Sequence, residues 1–504
     1  MSTAAAAISF NHARDLPRYA EAGVPELIAR MKAIVGPGNV LSSKPDLAVY
    51  ECDGFTIDKA KPDVVVFPSS TEHVAAIVRA CNELDVPFVA RGAGTSLAGG
   101  CVAVGGGVMI GLAKMKRILE VNIRDRYAVV EAGVVNVWLT NALKPHGYHY
   151  APDPSSQGAC TIGGNVATNS GGPHTLKYGV TVNHILGVEI VLPDGRIVTV
   201  GGPSEDSPGF DLAGAIVGSE GTFGIVTKAW VRLTRNPEAT RTLLGVFASV
   251  DDATNCISAI IAGGIVPAAL EMLDGTILQA IEAAFHFGFP LDAGAVLIME
   301  VDGHEVGLQG EADRIETIAF ESGAREVRKA NGEAERTALW KARKQAFGTI
   351  GRLGYASYCT QDGVVPRTKL PEIMRVIQKA SADHGVGICN VFHAGDGNIH
   401  PVLMFDERDP AQVQKVLKAS TDILEACIRL GGSVTGEHGI GVEKLDFMPM
   451  LFAPDDLNYM VRLRTAFNPT NLCSPNKMLP TAGGCAEPQS SSIQPIKAGR
   501  RAAV

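Results

Sequence analysis

At 504 residues, with 46% hydrophobic and 19% charged side chains, the chain has the make-up of a packed globular protein of two to four domains. Disulfide mini-proteins and disordered chains are excluded. The 45 basic and 53 acidic residues leave a net charge of −8, and no dense Lys/Arg run precedes the tail at 497–501, which excludes a broad nucleic-acid footprint. Ten scattered cysteines without a Cys-x-x-Cys spacing exclude a zinc ribbon and an iron–sulfur cluster and fit reduced thiols in the cytosol.

Residues 1–58 read as a polar, partly helical lead-in. An Ala-rich run to Phe10 lacks a basic leader and meets His12, Arg14 and Asp15 at once, unlike a secretory signal. Pro25, Leu27, Ile28, Met31, Ile34 and Val35 recur at helical spacing until Gly36-Pro37-Gly38 stops them. A strand at 64–67, a helix from 71 to 84 capped by Ser69 or Ser70, and a strand at 86–90 make a β-α-β unit that runs into a glycine-rich loop at 91–100. Strands at 108–112, 127–131, 187–192 and 196–200 follow, so 59–237 reads as an α+β domain. From 238 to 480 strands (243–247, 295–301) alternate with amphipathic helices (251–263, 308–322, 412–430), which predicts a second, partly antiparallel α+β domain. The tail, 481–504, reads as flexible. No apolar run approaches the ~20 residues that cross a bilayer, so a cytoplasmic protein is expected.

Four loops carry the first chemical signal: 91–100, 152–156, 161–165 and 218–225. Gly92-x-Gly94 is followed by Leu97 where a Rossmann turn needs a small residue, and no P-loop pattern occurs. Backbone N–H groups of such loops can form nests around a pyrophosphate. Any one of them is equally readable as a tight turn. Together, RGAGTSLAGG, PDPSSQGACTIGGNVATNSGG and GSEGTFGIVT resemble the FAD-binding domain of the vanillyl-alcohol oxidase (PCMH-type) flavoproteins. The resemblance implies that Arg91, Gly92, Ala93, Gly94, Thr95 and Ser96 wrap the pyrophosphate. It further implies that Pro152, Asp153, Thr161, Gly163, Gly164 and Asn165 line the cofactor and that Gly224, Ile225 and Val226 meet it by main-chain contacts. Thr95-Ser96 stands where covalent relatives carry a histidine, so non-covalent FAD is expected.

The second signal is His393-Ala-Gly-Asp396-Gly397-Asn-Ile-His400. Seven residues apart, the two histidines would face opposite ways in one strand; a hairpin turning at Asp396-Gly397 brings them about 5 Å apart. Thr435-Gly436-Glu437-His438-Gly439 adds a carboxylate and a third imidazole. Two histidines and a carboxylate suit a divalent ion such as Zn, Mn or Fe; singly, each histidine is as readily a hydrogen-bonded structural residue. The pair followed by GEHGIG resembles the metal-bearing FAD-linked oxidases (C-terminal family), among them D-lactate and D-2-hydroxyglutarate dehydrogenases and bacterial glycolate oxidase. That resemblance implies metal ligands His393, His400 and Glu437, a catalytic base His438, and an Arg343 that grips the substrate carboxylate. By pattern alone the Trp340-x-x-Arg343 helix is equally a solvated basic face. Lys477 matches a family motif near the flavin, and Phe347, Tyr355 and Tyr358 are candidates for the side-chain pocket.

Across 45–480, the sequence is most similar to the FAD-binding D-type subunits of bacterial glycolate oxidase. The implied reaction takes a small 2-hydroxy acid (glycolate or D-lactate) to the 2-keto acid by hydride transfer to flavin N5, at a pKa-matched His438 base. The implied partners are a second flavin-binding subunit and an iron–sulfur subunit, with any contact to the inner membrane made through that complex. A stand-alone D-lactate or D-2-hydroxyglutarate dehydrogenase, a non-catalytic flavin scaffold and a metal-dependent hydrolase are the alternatives.

Overall fold

The computed structural model describes residues 23–204 and 208–480. The Ala-rich run to Phe10 and the tail beyond 480 lie outside the described residues. The lead-in helix is Val24–Val35, with Pro25 in its first turn and Leu27, Met31 and Val35 buried, and Gly36 ends it at φ 84°.

The β-α-β unit is present as Val64–Val66, Thr71–Glu83 and Phe88–Arg91, with the Ser70 hydroxyl capping the helix at the N–H of His73. Its two strands are not neighbours. Val108–Gly111 inserts between them, parallel to both, and Val40–Leu41 closes the edge antiparallel. All of Val64, Val65 and Val66 are buried, the continuous apolar pattern of a strand covered on both faces. The next sheet is antiparallel, in the order Ile118–Asn122, Tyr127–Glu131, Ile225–Arg232, Ile185–Val191, Ile197–Gly201. In Ile225–Arg232 buried and half-buried residues alternate strictly, as one covered face requires.

The second half is built on a nine-stranded sheet whose spine runs Ala324–Lys329, Ala239–Phe247, Ala295–Gly303, Ala269–Asp274, Gly387–His393. Every described pairing in it is antiparallel, where only a partly antiparallel sheet was expected. Helices Val250–Ala262, Glu305–Glu321, Leu370–His384 and Pro410–Arg429 cover one face, and Gly275–Phe285 with Glu333–Gln345 cover the other. Late in the chain, residues 472–474 return to the first sheet. The N–H of Phe88 donates to the carbonyl of Leu472 (2.9 Å), and the N–H of Ser474 donates to the carbonyl of Phe88 (2.8 Å). Among the described residues no helix is long and apolar enough to cross a membrane.

Candidate active site

The hairpin that carries the histidines forms as its sequence predicts. Gly397 turns it at φ 82°, where a β-carbon would run into the carbonyl of Val365. His393 lies opposite Asn398 and Asn390 opposite Pro401, which puts position 400 across from 391. Because 391 and 393 share a face, so do His393 and His400, diagonally. Their ring centroids are 5.0 Å apart with planes at 90°.

Both Nε2 atoms lie 3.2 Å from the same Glu437 oxygen, Oε1. The other nitrogens are engaged: His393 Nδ1 lies 2.8 and 3.0 Å from the Glu271 carboxylate, and His400 Nδ1 lies 3.1 Å from the carbonyl of Gln361. His393 thus has a carboxylate at each nitrogen and can donate from both, whereas His400 donates from Nδ1 and turns its Nε2 lone pair to the Glu437 carboxylate. A lone pair that faces a carboxylate lacks a donor between the two. His400 Nε2 and Glu437 Oε2 have no hydrogen-bond partner, and donor atoms of His393, His400 and Glu437 all lie within 4.8 Å of one another. This donor set fits a divalent cation. Burial disfavours a charged His393, yet Glu271 and Glu437 outweigh it and push its pKa well up, the field a cation would also find favourable.

The loop bearing Glu437 and His438 is organised by Asp362, a residue with no sequence motif of its own. Its buried carboxylate accepts the hydroxyl of Thr435 (2.6 Å) and the N–H groups of Gly436 (2.9 Å), Glu437 (3.1 Å) and His438 (2.8 Å). Burial opposes that charge, but His438 when protonated, together with Lys444 and His400, holds the Asp362 carboxyl well below the usual range. The same loop is tied to the first half by Glu220, which accepts the N–H groups of Ile440 and Gly441, both at 2.7 Å. His438 stacks on His400 at 4.9 Å with planes 9° apart. Only 12% of its side chain is exposed, and burial lowers its pKa to about 4 against the pull of Asp362. The ring is thus neutral, rather than poised near neutrality as its residue type suggests.

One cavity of about 350 Å³ joins this cluster to the glycine loops. Its wall includes Gly92, Ala93, Gly94, Thr95 and Ser96, then Thr161, Gly163, Gly164 and Asn165, and on the far side His393, His400, Glu437 and His438. Gly92 packs so closely that a β-carbon would collide with the Thr161 hydroxyl. Thr161 itself caps the helix Ile162–Thr168 at the N–H of Gly164, which leaves the helix start facing the cavity. A cavity lined by backbone amides, small hydroxyls and a helix start fits a dinucleotide such as FAD.

Other sequence candidates stand elsewhere. Arg91 turns away from the cavity, donating to the carbonyl of Cys52 (2.8 Å) and lying over the Tyr50 ring (5.4 Å). Pro152 and Asp153 sit behind Pro154, Ser155 and Ser156, which line the wall; Asp153 pairs with His174 (2.9 Å) and Lys344 (3.3 Å). Gly224, Ile225 and Val226 begin a core strand and do not reach the cavity wall. Lys477 is fully buried, donating to the carbonyl of Val102 (2.6 Å), and burial lowers its pKa to about 8. Phe347 and Tyr358 reach the cavity; Tyr355 does not.

Arg343 is the largest departure. It is 0% exposed, does not line the cavity, and its Nη2 lies 2.6 Å from Glu271 Oε2, while Nε and Nη1 have no hydrogen-bond partner. The reason is helical phase. In Glu333–Gln345, Trp340 and Arg343 share the face that packs on the sheet, whereas Lys344 is turned to the cavity. Sequence reading passed over Lys344, Glu271, Asp362 and Glu220; an isolated acid inside an apolar strand, as in Leu270-Glu271-Met272, is the one signal that could have found Glu271.

Comparison with known families agrees with the two-part fold. Residues 236–478 match the FAD linked oxidases, C-terminal domain, and residues 62–201 match the FAD binding domain. The chain belongs to the FAD-linked oxidases and is a flavin-dependent oxidoreductase. It is 43% identical over 452 residues to glycolate oxidase subunit GlcD of Escherichia coli, covering 90% of each chain. It is also 31% identical to a D-lactate dehydrogenase of Anaerostipes hadrus, over 90% of this chain and 97% of that one. In fold it is similar to 4-ethylphenol oxidase from Gulosibacter chungangensis, with a TM-score of 0.75, 18% identity, and coverage of 92% of this chain and 98% of that one.

Proposed function

We propose that the protein oxidises a small 2-hydroxy acid to the 2-keto acid, as the flavin-bearing subunit of a larger assembly. The observation that carries this is a single cavity whose one wall is a dinucleotide cradle and whose other wall is a convergent His393–His400–Glu437 set beside a neutral His438. Bound FAD supplies the two-electron acceptor, and a Zn, Mn or Fe ion held by His393, His400 and Glu437 supplies the Lewis acidity that favours an ionised hydroxyl. His438 takes the hydroxyl proton at Nε2, the nitrogen 3.8 Å from Glu437 Oε1. Asp362 holds that ring's backbone in place and offsets the positive charge that the ring acquires. The substrate carboxylate meets Lys344, the cation exposed to the cavity, which Asp153 steadies from behind the wall. Phe347 and Tyr358, with ring centroids 6.5 Å apart, restrict the space beyond and favour glycolate or lactate over a longer acid.

Similarity to a protein named as a glycolate oxidase subunit supports a multi-subunit setting, with electrons leaving through a second flavin-binding subunit and an iron–sulfur subunit. The D-lactate dehydrogenase relative supports a second reading, in which the chain works alone. Anaerobic addition of glycolate, D-lactate, L-lactate and 2-hydroxyglutarate to the yellow protein tests the function directly. Glycolate or D-lactate is expected to bleach the flavin; a yellow protein bleached by none of the four would overturn the proposal. Full turnover of the isolated chain with a soluble physiological acceptor would favour the stand-alone reading.

A further inference from the structure

We propose that a second pocket, behind the histidine cluster, is the entrance by which the hydrated divalent ion reaches and leaves its site, separate from the cavity that takes flavin and substrate. This rests on the metal reading above. The pocket measures about 180 Å³, space for an ion with several waters at roughly 30 Å³ each. Both halves of the chain line it: Gly171, Thr175 and Val180 on one side, Asp396, Asn398 and Gly436 on the other. His393 and Glu437 belong to both linings, so these two side chains form the partition between the pocket and the flavin cavity. Gly436 is exposed and Thr175 and Val180 are half-buried, which places the mouth there, while the buried His393 lies at the floor.

Two buried acceptors on this lining have no partner. Glu437 Oε1 lies 3.2 Å from the Nε2 atoms of both His393 and His400, whereas its Oε2 has no hydrogen-bond partner. A β-carbon at Gly171 would come within 3.3 Å of that Oε2, and Gly171 lines the second pocket but not the flavin cavity. Oε2 is therefore the face of the cluster that the pocket meets. The same β-carbon would stand 2.7 Å from the Thr175 hydroxyl, so a glycine at 171 keeps the way open. Asn398, 6% exposed, adds an Oδ1 without a partner. Buried acceptors of this kind are met by water or by a cation. Charge selects the cation: Asp396 and Glu437 supply two carboxylates, and among the described residues no lysine or arginine lines the pocket. A cleft of one sign gathers ions of the other. The flavin cavity offers the opposite field at Lys344, and cofactor and substrate share it during turnover.

An entrance is crossed in both directions, so narrowing it raises one barrier and slows binding and release by the same factor, leaving affinity alone. Val180→Phe, and the milder Val180→Leu, fill the mouth. In the FAD-loaded, chelator-stripped protein, stopped-flow uptake of Zn²⁺ and its release to a chromogenic chelator are expected to slow about tenfold in Val180→Phe and about two- to threefold in Val180→Leu. Kd for Zn²⁺, by equilibrium dialysis, and FAD occupancy, by visible absorbance, are expected to match the wild type. Wild-type rates in both variants overturn the proposal and assign ion exchange to the flavin cavity, while the metal reading stands. Faster release at unchanged uptake also overturns it, since Val180 would then be supporting the ligands. Should Val180→Phe lose FAD or its fold, Val180→Leu decides alone. Failure of the wild-type protein to bind zinc, manganese or iron overturns the metal reading and the entrance with it.

Discussion

The two walls of the cavity are built on opposite principles. The wall meant for the cofactor is mostly backbone: Gly92, Gly94, Gly163 and Gly164 bring amides close, and few charged side chains take part. The facing wall is made of side chains, His393, His400, Glu437 and His438, each fixed by a partner behind it: Glu271, the carbonyl of Gln361, or Asp362. A backbone wall fails when a side chain is added, and a side-chain wall fails when one is removed.

Breaking the side-chain wall has the largest effect. Glu437→Gln removes the charge on which both Nε2 atoms converge and should cut turnover by about 1,000-fold or more while the protein stays yellow, as steady-state kinetics and flavin absorbance would show. Breaking the backbone wall comes next. Gly92→Val places a branched side chain against Thr161, so FAD occupancy should fall about tenfold or more, with the far-ultraviolet circular dichroism of a folded protein. By contrast Arg91→Ala, whose side chain leaves the cavity, should cost the cofactor far less.

The contact between the walls can be loosened more gently. Glu220→Gln weakens the charged anchor for the N–H groups of Ile440 and Gly441, and turnover should drop about 10- to 100-fold through a displaced His438, with FAD retained. The smallest effect is at the latch of His174, which bridges Asp153 in the first half and Glu300 in the second, at 2.9 and 3.4 Å. Burial alone would lower the His174 pKa, but Asp153 and Glu300 raise it to about 10 from 6.5; burial would raise that of Asp153, but His174 and Lys344 lower it to about 2 from 3.8. His174 thus stabilises fully below about pH 6.5, and its contribution disappears as pH rises through about 10. That of Asp153 is present above about pH 3.8 and disappears as pH falls through about 2. His174→Gln should therefore lose about 2 to 4 kcal/mol in urea melts near pH 5 to 6, and progressively less toward pH 10.

What could be read from the sequence follows the same division. Motifs compact in the chain were legible, because a turn at Asp396-Gly397 and a seven-residue spacing suffice to place two imidazoles on one face. Glycine loops were legible for the same local reason. Residues that act from a distance were not. Glu271 acquires meaning only from the register that sets it against His393, 122 positions away. Asp362 carries no pattern, and the direction of Arg343 depends on which face of its helix packs on the sheet. Arg91 illustrates the converse: its motif is plain, yet a neighbouring carbonyl and the Tyr50 ring outcompete the cavity for its side chain.

The return of residues 472–474 to the edge of the first sheet has a consequence for biosynthesis. Phe88 finds its last hydrogen-bonding neighbours in a segment that leaves the ribosome nearly four hundred positions later. A growing chain thus carries an open edge at Phe88 until residues 472–474 have been made. Truncation before Leu472 is expected to loosen the strand that leads into the first glycine loop and to lower FAD occupancy, read by visible absorbance.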